Sequence, residues 1–324
     1  MPKAIRIQQP GGPEVLQWQD VEVGAPGVGE VRLKQHAVGL NFIDVYHRSG
    51  LYPLEMPSGI GLEGAGVVET VGTDVSDYAV GDRVAYAAPP IGAYAESRLI
   101  PAHRLVKMPD DIDFQTAAAM MLQGMTTQYL IRRTYRVQSG DTVLFHAAAG
   151  GVGLIACQWL KHLGATIIGT VSSDAKAELA KAHGCDYPVV YTRENFVARV
   201  KEITQGEGVS VVYDSVGKDT WEGSLNSLRK MGMLVSFGNA SGAVDPFPPG
   251  MLAAKGSLFL TRPTLMDYTA KREDLLATAQ DLFAMVSSGA VKINVNQTYP
   301  LAEAAQAHRD LEARKTTGST VLLP

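Results

Sequence analysis

Residues Gly140–Ser173 read GDTVLFHAAAGGVGLIACQWLKHLGATIIGTVSS, and this stretch decides the fold. An apolar run, Thr142–Phe145, enters a turn of small residues, and a helical pattern with one apolar side follows. A second apolar run, Thr166–Val171, comes next, so the stretch predicts a strand–turn–helix–strand unit that binds a dinucleotide. The small residues let the backbone approach a pyrophosphate, which then meets free N–H groups at a helix N-terminus. The alternative is an ordinary glycine-rich turn between a strand and a helix.

Size and composition limit the classes of protein that fit. With 324 residues, 46% hydrophobic and 19% charged, the chain has the composition of a soluble globular protein and the length for two domains. A net charge of −4 gives no electrostatic basis for nucleic acid or an anionic membrane as a main partner. No apolar run approaches the ~20 residues that span a bilayer.

Targeting and redox signals point to the cytoplasm. The start, MPKAIRIQQPGG, lacks the apolar core of a secretion signal. Cys157 and Cys185 are too few for a disulfide framework or a thiolate metal site. We therefore expect a protein of the reducing cytoplasm.

The pattern of the chain changes at about Thr126. Before it, short strands are broken by glycine and proline, which predicts a mostly antiparallel, barrel-like domain. These strands are Ala4–Gln8, Glu30–Val38, Gly64–Val71 and Asp82–Ala87. After it, strands alternate with helices, which predicts an α/β fold with a doubly wound parallel sheet. Its six strands are Val143–His146, Ile167–Val171, Pro188–Tyr191, Val209–Tyr213, Leu234–Phe237 and Ser257–Thr261.

The residues after Arg262-Pro263 form a small third piece. The expected elements are a helix over Arg272–Ser287, a strand over Gln297–Leu301, a helix over Ala302–Arg314 and a strand over Ser319–Leu323. This piece is too small for a core of its own, so we expect it to pack on the first domain. The predicted domains are therefore residues 1–125 with 263–324, and residues 126–262.

Five motifs carry a resemblance to a known family. They are the turn segment with Ala148-Ala149-Gly150-Gly151, Gly153, Gln158 and Lys161; NFID at 41–44 with RSGLYP after it; GLEGAGVV at 61–68; VVYDSVG at 211–217; and VSFGNASG at 235–242. In collinear order they make the whole chain resemble the medium-chain dehydrogenase/reductase superfamily, and within it the zeta-crystallin-like NADPH:quinone oxidoreductases. The resemblance implies a GroES-like catalytic domain, a Rossmann domain that binds NADPH, and hydride transfer to a quinone in the cleft between them.

The metal ligands of the zinc-dependent relatives are missing. Where those members have Gly-His-Glu, this chain has Gly61-Leu62-Glu63, and their first cysteine ligand aligns near Asn41. The four-cysteine zinc lobe is also absent, and catalytic zinc needs about three converging ligands. We therefore expect no metal and a substrate that accepts hydride readily. A quinone meets that need because its reduced ring delocalises the added electrons.

The resemblance implies that Asn41, Tyr46 and Tyr52 face the reacting quinone. Their hydrogen bonds could stabilise charge on a quinone oxygen. The alternative is that the two tyrosines only pack a loop. We expect Asp44 to hold the loop or meet the cofactor rather than to act as a base, because hydride transfer mostly needs alignment.

The end of the second Rossmann strand predicts a preference for NADPH. An NAD site usually has an acidic residue there, about 20 residues past the glycines, but this strand ends in Ser172-Ser173. Asp174 is expected in the first turn of the next helix, at its positive end. Lys176 lies in the same turn and can reach a 2′-phosphate.

The resemblance adds further cofactor contacts. It places Tyr191 beside the 2′-phosphate, while Arg193 is a weaker candidate because its register differs. Arg314, in the returning C-terminal piece, is a further candidate for contact with the cofactor. The full predicted set is Asn41, Phe42, Ile43, Asp44, Thr126, Tyr129, Gly150, Gly151, Val152, Ser172, Ser173, Lys176, Tyr191, Ser215, Phe237, Gly238, Asn239, Thr261 and Arg314.

Partners and alternative functions remain open at this point. KGSLFLTRP, residues 255–263, is apolar and β-prone, and as the last strand of the sheet it predicts a homodimer that pairs this edge with its copy. The alternative is an edge covered by its own chain. The functional alternatives are a reductase of conjugated enones or alkenals, and a non-catalytic protein that binds NADPH or RNA.

Overall fold

The computed structural model describes all 324 residues, which divide into two compact units. The first unit comprises Met1–Met125, Thr269–Ser287 and Ile293–Pro324. The second comprises Thr126–Tyr268 and Ser288–Lys292. The return to the first unit thus occurs at Thr269, where the sequence predicts it at Pro263. No helix is both long and apolar enough to cross a membrane.

The first 129 residues contain eight strands and two helices. They are β1 (Lys3–Ile7), β2 (Gln17–Asp20), β3 (Glu30–Leu40), α1 (Phe42–Ser49), β4 (Ser58–Gly59), β5 (Glu63–Val71), β6 (Arg83–Ala87), β7 (Ser97–Pro101), β8 (Val106–Lys107) and α2 (Phe114–Tyr129). A π-helical turn, Leu130–Thr134, continues α2.

The rest of the chain alternates strands and helices before it ends in a strand. The elements are β9 (Thr142–Phe145), α3 (Gly151–His162), β10 (Thr166–Val171), α4 (Asp174–Ala182), β11 (Tyr187–Val190), α5 (Phe196–Ile203), β12 (Val209–Asp214), α6 (Trp221–Ser227), β13 (Leu228–Ser236), α7 (Gly250–Ala254), β14 (Phe259–Thr261), α8 (Leu265–Tyr268), α9 (Arg272–Ser287), β15 (Val295–Pro300), α10 (Ala304–Glu312) and β16 (Ser319–Leu323).

The second unit is built on a six-stranded sheet in the order β11-β10-β9-β12-β13-β14, and all neighbours are parallel. Every residue of β12 is buried, because a parallel sheet is covered on both faces. The order reverses between β9 and β12, and ligands of such sheets bind at the carboxyl ends of the strands near that point. The predicted doubly wound parallel fold is confirmed.

The first unit is rich in antiparallel pairs. Its larger sheet runs β15-β16-β3-β5-β6-β8, with β7 also paired to β3, and a smaller sheet has the order β2-β1-β4. Of these pairs only β15 with β16 is parallel. The core of this unit combines residues from both ends of the chain, for example Ile5, Leu33 and Leu322. The C-terminal piece therefore shares one core with the N-terminal strands, as its small size predicts.

Two strands of the parallel sheet differ from their predicted bounds by more than one residue. β13 begins at Leu228 rather than Leu234, because Leu228 already pairs with Val209; the pairing then shifts register across a segment that contains Met231, with a positive φ of 59°, and resumes at Met233. The last strand is shorter than Ser257–Thr261, because Gly256 and Ser257 have positive φ values of 115° and 57°. The proposed dimer strand over residues 255–263 is thus wrong in length.

The predicted helix over residues 302–314 is also too long at both ends. Leu301–Glu303 forms a 3₁₀ turn, and α10 follows only from Ala304. α10 ends at Glu312, and Arg314 beyond it has a positive φ of 58°.

Candidate functional site

The turn between β9 and α3 leaves helix N–H groups available to a ligand. Gly150 is the N-cap of α3 in an extended conformation, and no side chain caps the helix. The N–H groups of the first turn, residues 151–153, have no partner within the helix because the helix begins there. Gly151 and Val152 are only half-buried. The turn therefore presents backbone donors at the positive end of a helix, the arrangement that binds a pyrophosphate.

Gly153 packs the helix directly against this turn. A Cβ atom at position 153 would lie 2.3 Å from the carbonyl oxygen of Ala147 and 2.7 Å from the Cα atom of Ala148. Such distances are far below van der Waals contact, so only glycine fits. On β10, a Cβ at Gly169 would lie 2.6 Å from the Cβ of Ala148. The small residues of the motif thus set the close approach of turn, helix and strand.

A buried histidine network supports the same turn, and sequence reasoning missed it. Ser224 donates to Asp214 at 2.7 Å, so its oxygen accepts from His146 Nε2 at 2.9 Å. His146 Nδ1 then accepts from the hydroxyl of Thr170 at 2.9 Å. Burial lowers the pKa of His146, which keeps the ring neutral. His146 is therefore a structural link between strands, and its only signal was its place directly after an apolar strand.

The predicted 2′-phosphate residues lie together at the carboxyl ends of β10 and β11. The N–H of Tyr191 donates to Val171 O at 3.1 Å, which holds the end of β11 beside the end of β10. Ser173 is the N-cap of α4 and accepts the N–H of Lys176 at 3.4 Å. Tyr191 is 40% exposed, and Ser172, Ser173 and Lys176 are half-buried.

An ion pair neutralises the acidic residue at this edge. Asp174 lies in the first turn of α4, as the sequence predicts. Arg193 Nη1 lies 2.7 Å from Asp174 Oδ2, and Arg193 Nη2 contacts Oδ1 of the same carboxylate. The Arg193 guanidinium lowers the pKa of Asp174, so the carboxylate stays ionised and paired. Arg193, the weaker sequence candidate, thus lies at the same edge as Lys176.

The predicted residues after β12 and β13 also come together. Phe237 N–H donates to Asp214 O at 2.8 Å, which fixes the start of one loop to the end of the neighbouring strand. A Cβ at Gly238 would lie 2.5 Å from the carbonyl oxygen of Ser215, so this close passage requires glycine. Asn239 follows in the same loop, and Thr261 is the last residue of β14.

Thr126 and Tyr129 lie in the last turn of α2. Both side chains are buried, with Tyr129 only 2% exposed. The ring of Tyr129 stacks on Tyr268 with centroids 4.5 Å apart, and burial raises the pKa of its hydroxyl. Tyr129 is therefore a neutral, packed tyrosine.

The NFID segment of the first unit begins α1. Asn41 is the N-cap, and its N–H donates to Asp44 Oδ2 at 2.9 Å in a capping box. α1 ends at Ser49, and the C-cap Gly50 after it has a positive φ of 83°, which suits glycine. Phe42 and Ile43 are half-buried in the first turn.

Both polar atoms of the Asn41 side chain have protein partners. Asn41 Nδ2 donates to Glu63 Oε2 at 2.6 Å, and Asn41 Oδ1 accepts from Gln123 Nε2 at 3.1 Å. Burial raises the pKa of Glu63 to about 8. Sequence reasoning missed Glu63 and Gln123, although GLEGAGVV contains the first of them.

Asp44 belongs to a second buried network. Tyr94 donates its hydroxyl to Asp44 Oδ2 at 2.9 Å and lies 3.1 Å from His308 Nε2. Arg48 has only donors, so His308 Nδ1 accepts from Arg48 Nη1 at 3.0 Å and Nε2 carries the hydrogen. Burial raises the pKa of Asp44 to about 7. These hydrogen bonds support the expectation that Asp44 holds the segment in place.

The two predicted tyrosines pack edge to face, with ring centroids 5.1 Å apart. Tyr52 N–H donates to Tyr46 O at 3.1 Å. Tyr46 is buried, whereas Tyr52 is half-buried. Tyr52 is thus the more exposed of the two residues.

The remaining predictions for the first unit concern Arg314 and the metal ligands. Arg314 is exposed just after α10. Leu62 is buried and offers no ligating atom. No group of three or more His, Cys, Asp or Glu side chains comes close enough to hold a metal ion.

Comparison with known proteins gives the family. Residues 27–110 match the alcohol dehydrogenase GroES-like domain, and residues 151–278 match the zinc-binding dehydrogenase family. The chain is 56% identical to a quinone oxidoreductase of Pseudomonas aeruginosa, over 100% of both chains. It is 48% identical to a 2-haloacrylate reductase of a Burkholderia species, over 100% of this chain and 99% of the other. The crystal structure of the Escherichia coli quinone oxidoreductase complexed with NADPH is 48% identical, with a TM-score of 0.98, and the match covers 99% of this chain and 100% of that one. The chain therefore belongs to the medium-chain dehydrogenase/reductase superfamily, and within it to the quinone oxidoreductases.

Proposed function

We propose that this protein reduces quinones with NADPH, by hydride transfer and without a metal. The observation that carries the proposal lies at the carboxyl ends of the parallel strands. There the glycine turn leaves the N-terminus of α3 without a side-chain cap, and the neighbouring strand β10 does not end in the acidic residue that binds the ribose of NAD. The names of the relatives described above support the same reaction.

The residues of this edge fit NADPH. The N–H groups of residues 151–153 suit the pyrophosphate, because they are backbone donors at a helix N-terminus. Ser172, Ser173, Lys176 and Tyr191 offer donors for a 2′-phosphate, and the pairing of Asp174 with Arg193 removes an unpaired negative charge from its surroundings. When bound, NADPH supplies the hydride.

The α1 segment is the proposed contact for the quinone. The Tyr52 hydroxyl, with Tyr46 and Asn41 as further candidates, would donate a hydrogen bond to a quinone oxygen on which negative charge develops. No Ser/His/Asp or Cys/His set is needed, because the protein has to align the reactants and exclude water. Protonation of the reduced ring can come from water.

The first test is the rate of NADPH oxidation with benzoquinone and naphthoquinone as acceptors. We expect turnover that exhaustive chelation leaves unchanged. Tyr52→Phe is expected to lower kcat/KM for the quinone by roughly two- to tenfold, the effect of one hydrogen bond, while the Kd of NADPH stays the same. Tyr187→Phe, at a tyrosine that is 42% exposed in the second unit, is the matched control.

Two outcomes would redirect the proposal. The 2-haloacrylate reductase among the relatives favours a second candidate function, reduction of conjugated carbon–carbon double bonds. Turnover of enones or 2-haloacrylate but not of quinones would support that function instead. NADPH binding without turnover of either class would support a non-catalytic protein.

We also propose a homodimer through the β14 edge of the parallel sheet. Phe259 on this edge strand is 57% exposed, and an exposed apolar edge is normally covered by pairing. Phe259→Lys is expected to convert a dimer into a monomer in light scattering at micromolar concentration. Tyr187→Lys on β11, at the opposite edge of the same sheet, should leave the dimer intact. A wild-type protein that is monomeric at this concentration would contradict the proposal.

The proposed location is the cytoplasm. Cys157 and Cys185 are both free and buried, as expected for thiols of a reducing compartment.

A further inference from the structure

The amide of Asn41 is part of a buried chain of hydrogen bonds in the first unit. Glu63 and Gln123 contact its two polar atoms, as described above. Beyond them, Ser319 Oγ lies 2.7 Å from Gln123 Oε1 and 2.9 Å from the carbonyl oxygen of Ala119. All four side chains of the chain Glu63–Asn41–Gln123–Ser319 are buried. The amide of Asn41 or Gln123 can reverse its orientation only if the neighbouring side chains change their donor and acceptor roles as well.

A backbone donor determines where a proton on Glu63 must be. Glu63 Oε1 accepts the N–H of Leu122 at 2.7 Å, and a backbone N–H can only donate. A proton on the carboxyl group therefore resides on Oε2, which faces Asn41. There it would meet the Asn41 amide nitrogen, donor against donor. Protonation thus requires Asn41 to turn its oxygen toward Glu63.

We propose that Glu63 is the positioning residue that sets the orientation of the Asn41 amide. Ionised Glu63 holds the amide nitrogen of Asn41, and protonated Glu63 holds the amide oxygen. The reversal moves the amide nitrogen of Asn41 from the Glu63 side to the Gln123 side. Its effect on turnover rests on the proposed function, in which Asn41 contacts NADPH or the quinone.

The reversal is passed along the whole chain. With Asn41 turned, its nitrogen donates to Gln123, Gln123 donates to Ser319, and Ser319 donates to the carbonyl of Ala119. Each contact of the chain then joins one donor to one acceptor. In the other orientation the single hydroxyl hydrogen of Ser319 faces two acceptors, Gln123 Oε1 and Ala119 O. Because unsatisfied buried polar groups are costly, intermediate arrangements are disfavoured and the chain has two states.

The surroundings bring this change into an accessible pH range. Burial, and to a smaller degree the charge of Asp44, raise the pKa of Glu63 to about 8, although the hydrogen bonds from Asn41 and from the backbone of Leu122 and Met121 oppose the rise. Tyr86 and Tyr94 also face this region, and burial raises the pKa of both hydroxyls, so they stay neutral. The pKa of Asp44 itself lies at about 7. Glu63 is therefore mostly protonated below about pH 8 and ionised above it.

Glu63→Gln tests the proposal because a glutamine imitates one of the two states. Its oxygen must accept from Leu122, so its nitrogen faces Asn41 at every pH, as the protonated carboxyl does. Side-chain amide resonances of Asn41 and Gln123 are followed by NMR in the cofactor-free protein with ¹⁵N-labelled Asn and Gln. We expect an inflection near pH 8 in the wild type that Glu63→Gln lacks, while an inflection from Asp44, whose pKa is about 7, should be the same in both proteins. Glu69→Gln, at a half-buried surface carboxylate on the same strand β5, should keep the inflection.

The pH profile of turnover is the second measurement. In the wild type, kcat/KM for a quinone should change by about two- to tenfold across this inflection. In Glu63→Gln, kcat/KM should not show this change, because the glutamine cannot lose a proton. Asn41 resonances that do not titrate, or that titrate alike in the wild type and Glu63→Gln, would overturn the proposal. Absence of quinone turnover in all three proteins would instead refute the proposed function, because the NMR measurement does not depend on it.

Discussion

Gly153→Ala is expected to weaken NADPH binding by roughly 100-fold or more, because two or more hydrogen bonds to the pyrophosphate, each worth ~1.5–3 kcal/mol, are lost. The added Cβ would lie 2.3 Å from the carbonyl oxygen of Ala147, so helix α3 and the turn must separate. The separation moves the N–H groups of residues 151–153 away from the proposed pyrophosphate position. It also strains a packed interior, at a cost of roughly 1–3 kcal/mol in unfolding free energy. Fluorescence titration with NADPH and thermal unfolding measure the two effects.

Gly250→Ala is the matched control for this substitution. Gly250 is the first residue of α7, and a Cβ there meets nothing within 4 Å. The Gly250→Ala protein should therefore bind NADPH as the wild type does. It should unfold at the same temperature or at a slightly higher one, since alanine favours a helix. A Gly153→Ala protein with wild-type NADPH affinity and stability would show that the turn does not hold the pyrophosphate.

Lys176→Ala is expected to raise the Kd of NADPH by roughly ten- to hundredfold, because a hydrogen bond to a charged group contributes ~1.5–3 kcal/mol. The Kd of NADH should not change, since NADH lacks the 2′-phosphate. Lys176 lies in the first turn of α4, whose N-cap Ser173 is another proposed contact. Parallel titrations with the two cofactors, at one fixed salt concentration, measure the difference.

Lys181→Ala removes the same charge from the last turn of the same helix. It should leave both Kd values unchanged, which separates local recognition of the phosphate from a general loss of positive charge. Equal weakening of NADPH and NADH by Lys176→Ala would contradict the role proposed for this lysine.

The sequence by itself determined the architecture of the second unit. Strand patterns such as Val209–Tyr213, entirely buried in the structure, alternate with helical patterns, and this order predicts a parallel sheet covered on both faces. The glycine turn was equally predictable from the sequence, because it is formed by consecutive residues between one strand and the next helix. Leu154, Ile155 and Trp159 are buried on the predicted side of α3 for the same reason.

Strand ends were less predictable because single residues with unusual φ values decide them. The edge strand predicted from residue 257 starts only at Phe259, since Gly256 and Ser257 turn the chain before it. Local propensity favours a strand across this segment, whereas in the structure the N–H groups of Gly256 and Ser257 donate to the carbonyl oxygen of Ala253 in α7.

The polar networks of the first unit were decided by tertiary structure alone. Glu63, Gln123 and Ser319 are far apart in the sequence, and no spacing rule connects them. They meet because β5, α2 and β16 are packed around the N-cap of α1, where water is excluded and each buried polar group needs a partner. The sequence therefore determined which residues form strands, helices and the glycine turn, since those depend on neighbours along the chain. Tertiary structure decided which buried polar side chains face one another, since that depends on residues brought together only by folding.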